Sequence, residues 1–136
     1  LRFFLSSIVW TVFIATVSLV PSSSFESRHF NVEGLDKLIH VLLYLFFALF
    51  WSTGLKRQYK SKMIRKYAFH FSILGGFLFG LMLEILQAFF VQTRYFDWLD
   101  LIANGIGCIF GVLVFKQYTK RLIDSLGTKF VMNRAN

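Results

Sequence analysis

Residues 84–111 read EILQAFFVQTRYFDWLDLIANGIGCIFG, and they place ionisable and amide side chains directly against long apolar runs. The preceding run, residues 68–91, is long enough to cross a bilayer, and Glu84 lies inside it. An ionisable group within a membrane span costs at least about 2.5–3.5 kcal/mol on insertion scales, so such groups usually face a protein interior. Glu84 is therefore the first candidate for a functional residue.

The composition predicts an integral membrane protein with one domain. Hydrophobic residues make up 56 % of the 136 residues and are concentrated in four blocks. The net charge of +8 resides mainly in basic residues between these blocks, which argues against a nucleic-acid-binding surface. Cys108 lies within the fourth block, where we expect a small buried side chain without a disulfide.

The four blocks predict an all-α, polytopic fold with four transmembrane helices in a compact bundle. The predicted spans are about 3–20, 38–55, 67–91 and 99–116, within a membrane domain over 1–122 that a cytoplasmic tail over 123–136 follows. The first block is longer than the apolar region of a signal peptide and lacks a cleavage pattern, so we expect a retained span. Small residues spaced four apart predict close helix packing, at Ser7, Thr11 and Ala15, at Gly76 and Gly80, and at Ala103, Gly107 and Gly111.

The basic residues predict the orientation. The connector 56–66, KRQYKSKMIRK, is the most basic stretch and is expected on the cytoplasmic side, which puts both termini inside. Of the fifteen Lys and Arg residues, all but Arg28, Lys37 and Arg94 then lie on the inner side. The aromatic residues around 89–98 fit the outer membrane interface.

This orientation gathers the polar side chains at the outer ends of helices two, three and four. The candidate ligand-binding residues are Asp36, Lys37, His40, Tyr44, Glu84, Gln87, Arg94, Asp97, Asp100 and Asn104. Asp36, His40 and Tyr44 share one helical face because they are four residues apart. We predict that these side chains surround one polar crevice that opens to the exterior, with the charge of Glu84 compensated by Arg94 or His40.

Each of these residues also has a structural interpretation. Asp36 and Asp97 are candidate N-caps, and Asp97 with Asp100 resembles a capping box. Gln87 is a candidate hydrogen-bond partner of Glu84, one turn away. Asn104 and His40 would serve equally well in bonds between helices or at the membrane interface.

The order of these residues carries a family resemblance. Its elements are Asp36-Lys37 with His40 and Tyr44, Glu84 with Gln87, Arg94 with Asp97 and Asp100, and then Asn104 and Gly107. Over roughly 36–111 the chain resembles the VanZ-like family. The resemblance implies a small multi-pass protein of the bacterial cytoplasmic (inner) membrane and a link to low-level resistance to the glycopeptide teicoplanin, and it implies no established reaction. The motifs do not cover the first span or the basic tail.

Several functional classes follow. The preferred one is an envelope protein whose crevice binds the headgroup of a membrane lipid or of a lipid-linked wall precursor. The alternatives are an accessory subunit that binds other membrane proteins, a membrane-interface enzyme with Glu84 or His40 as acid or base, and, less favoured, a transporter. No cofactor is expected. Asp36 and His40 would suit a metal together with Asp97 or Asp100, but without a known metal motif the sequence alone predicts no metal.

Overall fold

The computed structural model describes residues 3–20, 34–90 and 96–132, and within these ranges all regular secondary structure is helical. The helices are α1 (Leu5–Leu19), α2 (Leu35–Arg57), the short α3 (Lys62–Lys66), α4 (Ala68–Phe90) and α5 (Trp98–Met132). The predicted all-α fold is confirmed.

Within the described ranges, three helices are long and apolar enough to cross a membrane. They are α2 and α4, with 23 residues each, and the 25-residue part of α5 over Trp98–Leu122. The α1 helix has 15 residues, or about 22 Å at 1.5 Å per residue, and is shorter than the roughly 30 Å hydrocarbon core and than the predicted span. The bundle therefore consists of three long apolar helices and a shorter one. Its orientation across the membrane stays a prediction.

The α2 helix packs against each of the other helices, and its closest neighbour is α5. Two glycines of α5 permit this approach. A Cβ atom on Gly107 would collide with the carbonyl oxygen of Val41, and one on Gly111 would collide with that of Leu45. The small-residue face predicted on the last span is thus the contact surface for α2.

The α4 helix also approaches α5 through glycines. A Cβ on Gly76 would collide with the Sγ atom of Cys108, and one on Gly80 would lie 2.7 Å from the Nδ2 atom of Asn104. Cys108 is fully buried and has a free thiol, as predicted. Around these contacts lies the apolar core, formed by Ile14, Tyr44, Phe47, Ala48, Leu83, Cys108 and Val112.

The α1 helix is attached to α2 by two tryptophans. The indole of Trp10 donates a 2.9 Å hydrogen bond to the carbonyl of Leu43, and that of Trp51 donates a 3.1 Å bond to the hydroxyl of Thr11. Ser7 is buried, as expected for the small-residue face of α1. Large apolar side chains on the outer faces of the helices remain exposed, as expected for surfaces that contact lipid.

The ends of two helices bear on the sequence predictions. The α2 helix begins at Leu35 after Gly34, whose φ of 90° is a left-handed conformation that glycine adopts without strain. Asp36 is therefore in the first turn, where its charge favours the helix dipole, and its predicted N-cap role is wrong. The α5 helix runs without a break to Met132, so the predicted boundary between residues 122 and 123 falls within a helix.

Candidate functional site

The start of α5 organises the candidate site. Asp97 immediately precedes the helix, and its Oδ1 atom accepts a 2.8 Å hydrogen bond from the backbone N–H of Leu99. A carboxylate here satisfies a backbone donor that the helix leaves free and opposes the positive end of the helix dipole. The predicted N-cap role of Asp97 agrees with this geometry.

Glu84 completes this cap from a different helix. In a capping box the side chain three residues into the helix accepts a hydrogen bond from the N-cap backbone N–H. Here the N–H of Asp97 instead donates a 3.4 Å bond to the Oε2 atom of Glu84 on α4. The predicted reciprocal bond from Asp100 is thus replaced, and the carboxylate of Asp100 is directed toward α2. Glu84 is buried, with 2 % of its surface exposed, and faces the protein interior.

Asp100 joins α5 to two residues of α2. Its Oδ1 atom lies 3.3 Å from the ammonium of Lys37, which also lies 3.1 Å from the Oδ2 atom of Asp97. Its Oδ2 atom lies 3.7 Å from the Nε2 atom of His40. The Asp100 side chain is buried, whereas Lys37 and Asp97 are partly exposed.

His40 is fixed by an amide. Its Nδ1 atom lies 2.9 Å from the Oδ1 atom of Asn104, and because that oxygen can only accept, Nδ1 donates. Both residues are buried, with 7 % and 1 % of their surfaces exposed. Among the described residues, Asp36 completes the group, since one of its oxygen atoms lies within 4.8 Å of ligand atoms on His40 and Asp100.

These contacts form one connected set across α2, α4 and α5, which we name the polar cluster. Its members are Asp36, Lys37, His40, Glu84, Asp97, Asp100 and Asn104. Tyr44 lies one turn below His40, buried near Gly80 against Phe47 and Phe79, and therefore belongs to the core beneath the cluster.

Gln87 stands apart from the cluster. The amide of Gln87 donates a 2.6 Å hydrogen bond to the backbone carbonyl of Ser18, near the end of α1. It thus joins α4 to α1, and this bond takes the place of the predicted contact with Glu84. Arg94 lies outside the described residues, so compensation of the Glu84 charge by Arg94 stays a prediction.

The pKa of Asp97 is lowered from its ordinary value. The main cause is the hydrogen bond from the Leu99 backbone, and the ammonium of Lys37 adds to it, while partial burial acts in the opposite direction. Asp97 is therefore ionised at neutral pH and completes the ion pair with Lys37.

The cluster has an open edge at the partly exposed Lys37 and Asp97 and at the exposed Asp36. Two mainly apolar cavities of about 460 and 660 Å³ lie elsewhere. Residues such as Phe47, Trp51 and Phe79 line the first, and neither cavity is lined by members of the polar cluster. The site is thus a packed network with an exposed rim.

A family model described as VanZ/LLP1 matches residues 2–122. The chain belongs to the VanZ/LLP1 family. No curated protein and no solved structure matches it.

The VanZ/LLP1 match extends beyond the motifs found by inspection. Those motifs covered roughly 36–111, whereas the family match includes α1 and the first part of α5 beyond Gly111. The hydrogen bond from Gln87 to Ser18 gives a structural reason to include α1, because it ties that helix to α4 next to the site.

Two polar contacts escaped the sequence analysis. The hydroxyl of Ser52 donates a buried 3.0 Å hydrogen bond to Ser72, joining α2 to α4. At the turn before α3, the amide of Gln58 bonds the carbonyl of Ser61 at 2.7 Å and accepts from its N–H at 2.9 Å. Serines inside apolar spans were the available signal for the first contact.

Proposed function

We propose that this VanZ/LLP1 member resides in the bacterial cytoplasmic membrane and binds the polar headgroup of a lipid or of a lipid-linked wall precursor at the outer leaflet. The observation that carries the proposal is the polar cluster itself. It joins three helices that are long and apolar enough to cross a membrane, and it leaves a charged rim at one end of them, where headgroups would lie around membrane-spanning helices.

The chemistry of the rim suits a headgroup. Lys37 offers an ammonium for phosphate, and the carboxylates of Asp36 and Asp97 accept hydrogen bonds from sugar hydroxyls or amines. Behind them, Glu84 holds the Asp97 backbone and Asn104 holds His40. A rim positioned by a buried network is preorganised, which reduces the entropy lost on binding.

Binding is favoured over catalysis because both candidate acid–base groups have structural partners. Glu84 accepts the backbone N–H of Asp97, and the Nδ1 atom of His40 bonds Asn104. A contribution to teicoplanin tolerance would follow if the bound headgroup belonged to a wall precursor.

The binding experiment uses the full chain in nanodiscs. The probe is a purified lipid-linked disaccharide-pentapeptide, with phosphatidylglycerol as the comparison lipid. Lys37→Gln should weaken probe binding about tenfold, the loss expected for one charge-assisted hydrogen bond. Lys60→Gln, which changes an exposed lysine before α3, should leave it unchanged.

Equal binding by the two variants, or no binding of either lipid by the wild type, would contradict the proposal.

The cellular test is Glu84→Gln. The variant should accumulate in the membrane yet lose teicoplanin tolerance, and full tolerance in a folded variant would remove Glu84 from the site. Labelling of a cysteine at Ser61 from outside intact cells would place the polar cluster on the wrong side.

A further inference from the structure

The geometry around His40 points to a second property of the polar cluster. His40 and Asp36 are one turn apart on α2, and Asp100 approaches from α5. Each offers one ligand atom, and these atoms all lie within 4.8 Å of one another. The sequence alone predicted no metal, because these residues follow no known metal motif, although Asp97 or Asp100 was considered as a third ligand beside Asp36 and His40.

We propose that Asp36, His40 and Asp100 bind one divalent transition-metal ion of the Zn²⁺ type. An imidazole nitrogen with two carboxylate oxygens is a donor set suited to such an ion, and a fourth position would remain for water or a ligand oxygen. The proposal does not depend on headgroup binding, since ion binding is measured without the lipid probe.

The spacing of His40 and Asp100 fits a shared ion. Their Nε2 and Oδ2 atoms are 3.7 Å apart, which is longer than a hydrogen bond. Two atoms that each lie about 2.1 Å from one ion are roughly 3–4 Å apart. Asp36 is exposed in the first turn of α2, so its carboxylate can change rotamer to complete the set.

The second contact of His40 fixes the required tautomer. Metal-binding histidines usually donate their other ring N–H to an oxygen, which orients the ring and leaves a lone pair for the metal. The Nδ1 atom of His40 donates to the Oδ1 atom of Asn104, so in the neutral ring Nε2 carries the lone pair and faces Asp100. His40 is buried, which holds this orientation.

The ammonium of Lys37 would compete with a metal ion for the carboxylate of Asp100. Its position reduces this competition. It lies against the Oδ1 atom of Asp100, whereas the Oδ2 atom faces His40. Asp97, 3.1 Å from Lys37, supplies a separate counter-charge for the ammonium. Asp36 and Asp100 together then neutralise the two charges of the ion.

The test is titration calorimetry with ZnCl₂ on the full chain in detergent, after chelator treatment and removal of any histidine tag. The wild type should bind one ion per chain. Asp36→Asn, His40→Gln and Asp100→Asn should each weaken the affinity at least about tenfold, since loss of even an outer-shell partner has an effect of this size. His70→Gln, which changes an exposed histidine on α4, should stay within about twofold of the wild type.

Asp36→Asn is the deciding variant, because it alters an exposed carboxylate and leaves the buried contacts of His40 and Asp100 intact. Its fold is checked by circular dichroism. Binding of Co²⁺, followed by its visible absorption, should be lost in the same variants and reports the coordination directly. Absence of Zn²⁺ binding by the wild type, or wild-type affinity in folded Asp36→Asn, would overturn the proposal.

Discussion

The two ends of the helical bundle carry opposite net charges, and the charged side chains at the two ends make different contacts. At the polar cluster, buried Asp100 and Glu84 are held by partners on other helices. At the opposite end, Lys56 and Lys116 lie 4.5 and 4.9 Å from the centre of the Phe69 ring. At the first end, the charged side chains form a network in which each one depends on the others for its contacts. At the second end, an aromatic ring and the surrounding water are enough to stabilise each lysine.

This difference bears on the proposal that the polar cluster is the binding site. Buried polar groups destabilise a fold unless they are fully bonded, so their presence demands either structural or functional use. Lys56 and Lys116 are not buried, so they impose no such demand and suit the predicted role of orienting the protein in the membrane. The contrast predicts that substitutions at the polar cluster will have larger effects than equivalent ones at the basic end.

The largest effect is expected for Gly80→Leu, which fills the space between α4 and Asn104. Even the first added atom would lie 2.7 Å from the Asn104 amide and 3.2 Å from the Tyr44 hydroxyl. We expect a loss of about 3 kcal/mol in the free energy of unfolding, at the upper end of typical overpacking effects. The measurement is SDS-induced unfolding in mild detergent, followed by circular dichroism.

Gly75→Leu is the matched control. It lies on the same helix, and an added Cβ would meet nothing within 4 Å. The control should be neutral or slightly stabilising, because leucine favours a helix by up to about 1 kcal/mol over glycine. Equal destabilisation by the two substitutions would show that α4 does not pack against Asn104.

A smaller effect is expected for Asn104→Leu, which removes the bond to the ring of His40. The buried Nδ1 donor would lose its acceptor, at about 1–3 kcal/mol. Lys56→Met at the basic end should lose only about 0.5–1 kcal/mol, since it removes a cation–π contact. The same unfolding measurement compares the two, and a larger loss for Lys56→Met would reverse the contrast between the ends.

Much of this contrast could be predicted from the sequence, for identifiable reasons. The apolar blocks gave the long helices, and the i to i+4 spacing correctly put His40 and Tyr44 on the buried face of α2. The same spacing could not show that Asp36 would remain exposed, because burial depends on how the neighbouring helices pack around that turn.

The sequence could not predict which hydrogen-bond partners would come from other helices. The bond between Gln87 and Ser18 and the cap supplied by Glu84 both depend on how helices are rotated about their axes. Local spacing favoured Glu84 as the partner of Gln87 and Asp100 as the partner of the Asp97 backbone. Tertiary packing chose other pairs in both cases.

The smallest expected effect is a pH dependence at the polar cluster. The pKa of Asp97 in the folded protein lies below its ordinary value of 3.8. Its stabilising contribution is therefore fully present above that value and is lost as the pH falls through the lowered pKa. The contribution should be below about 1 kcal/mol because the side chain is partly exposed.

Asp97→Asn isolates this charge, because asparagine is also a good N-cap. Unfolding measured from neutral pH to below 3.8 should show a smaller acid-induced loss of stability in the variant than in the wild type. Identical pH profiles would mean that ionisation of Asp97 adds nothing measurable to stability, which would contradict its lowered pKa.

The glycine contacts of α5 also bear on the route that the proposed headgroup ligand would take to the polar cluster. The seam with α2 is closed where Gly107 meets Val41, and the seam with α4 is closed where Gly76 meets Cys108. At these two described contacts, the helices lie too close together for a lipid chain to pass between them. Arrival and departure would occur at the membrane surface, past Lys37 and Asp97, so exchange would be governed by how readily a headgroup lifts out of its leaflet.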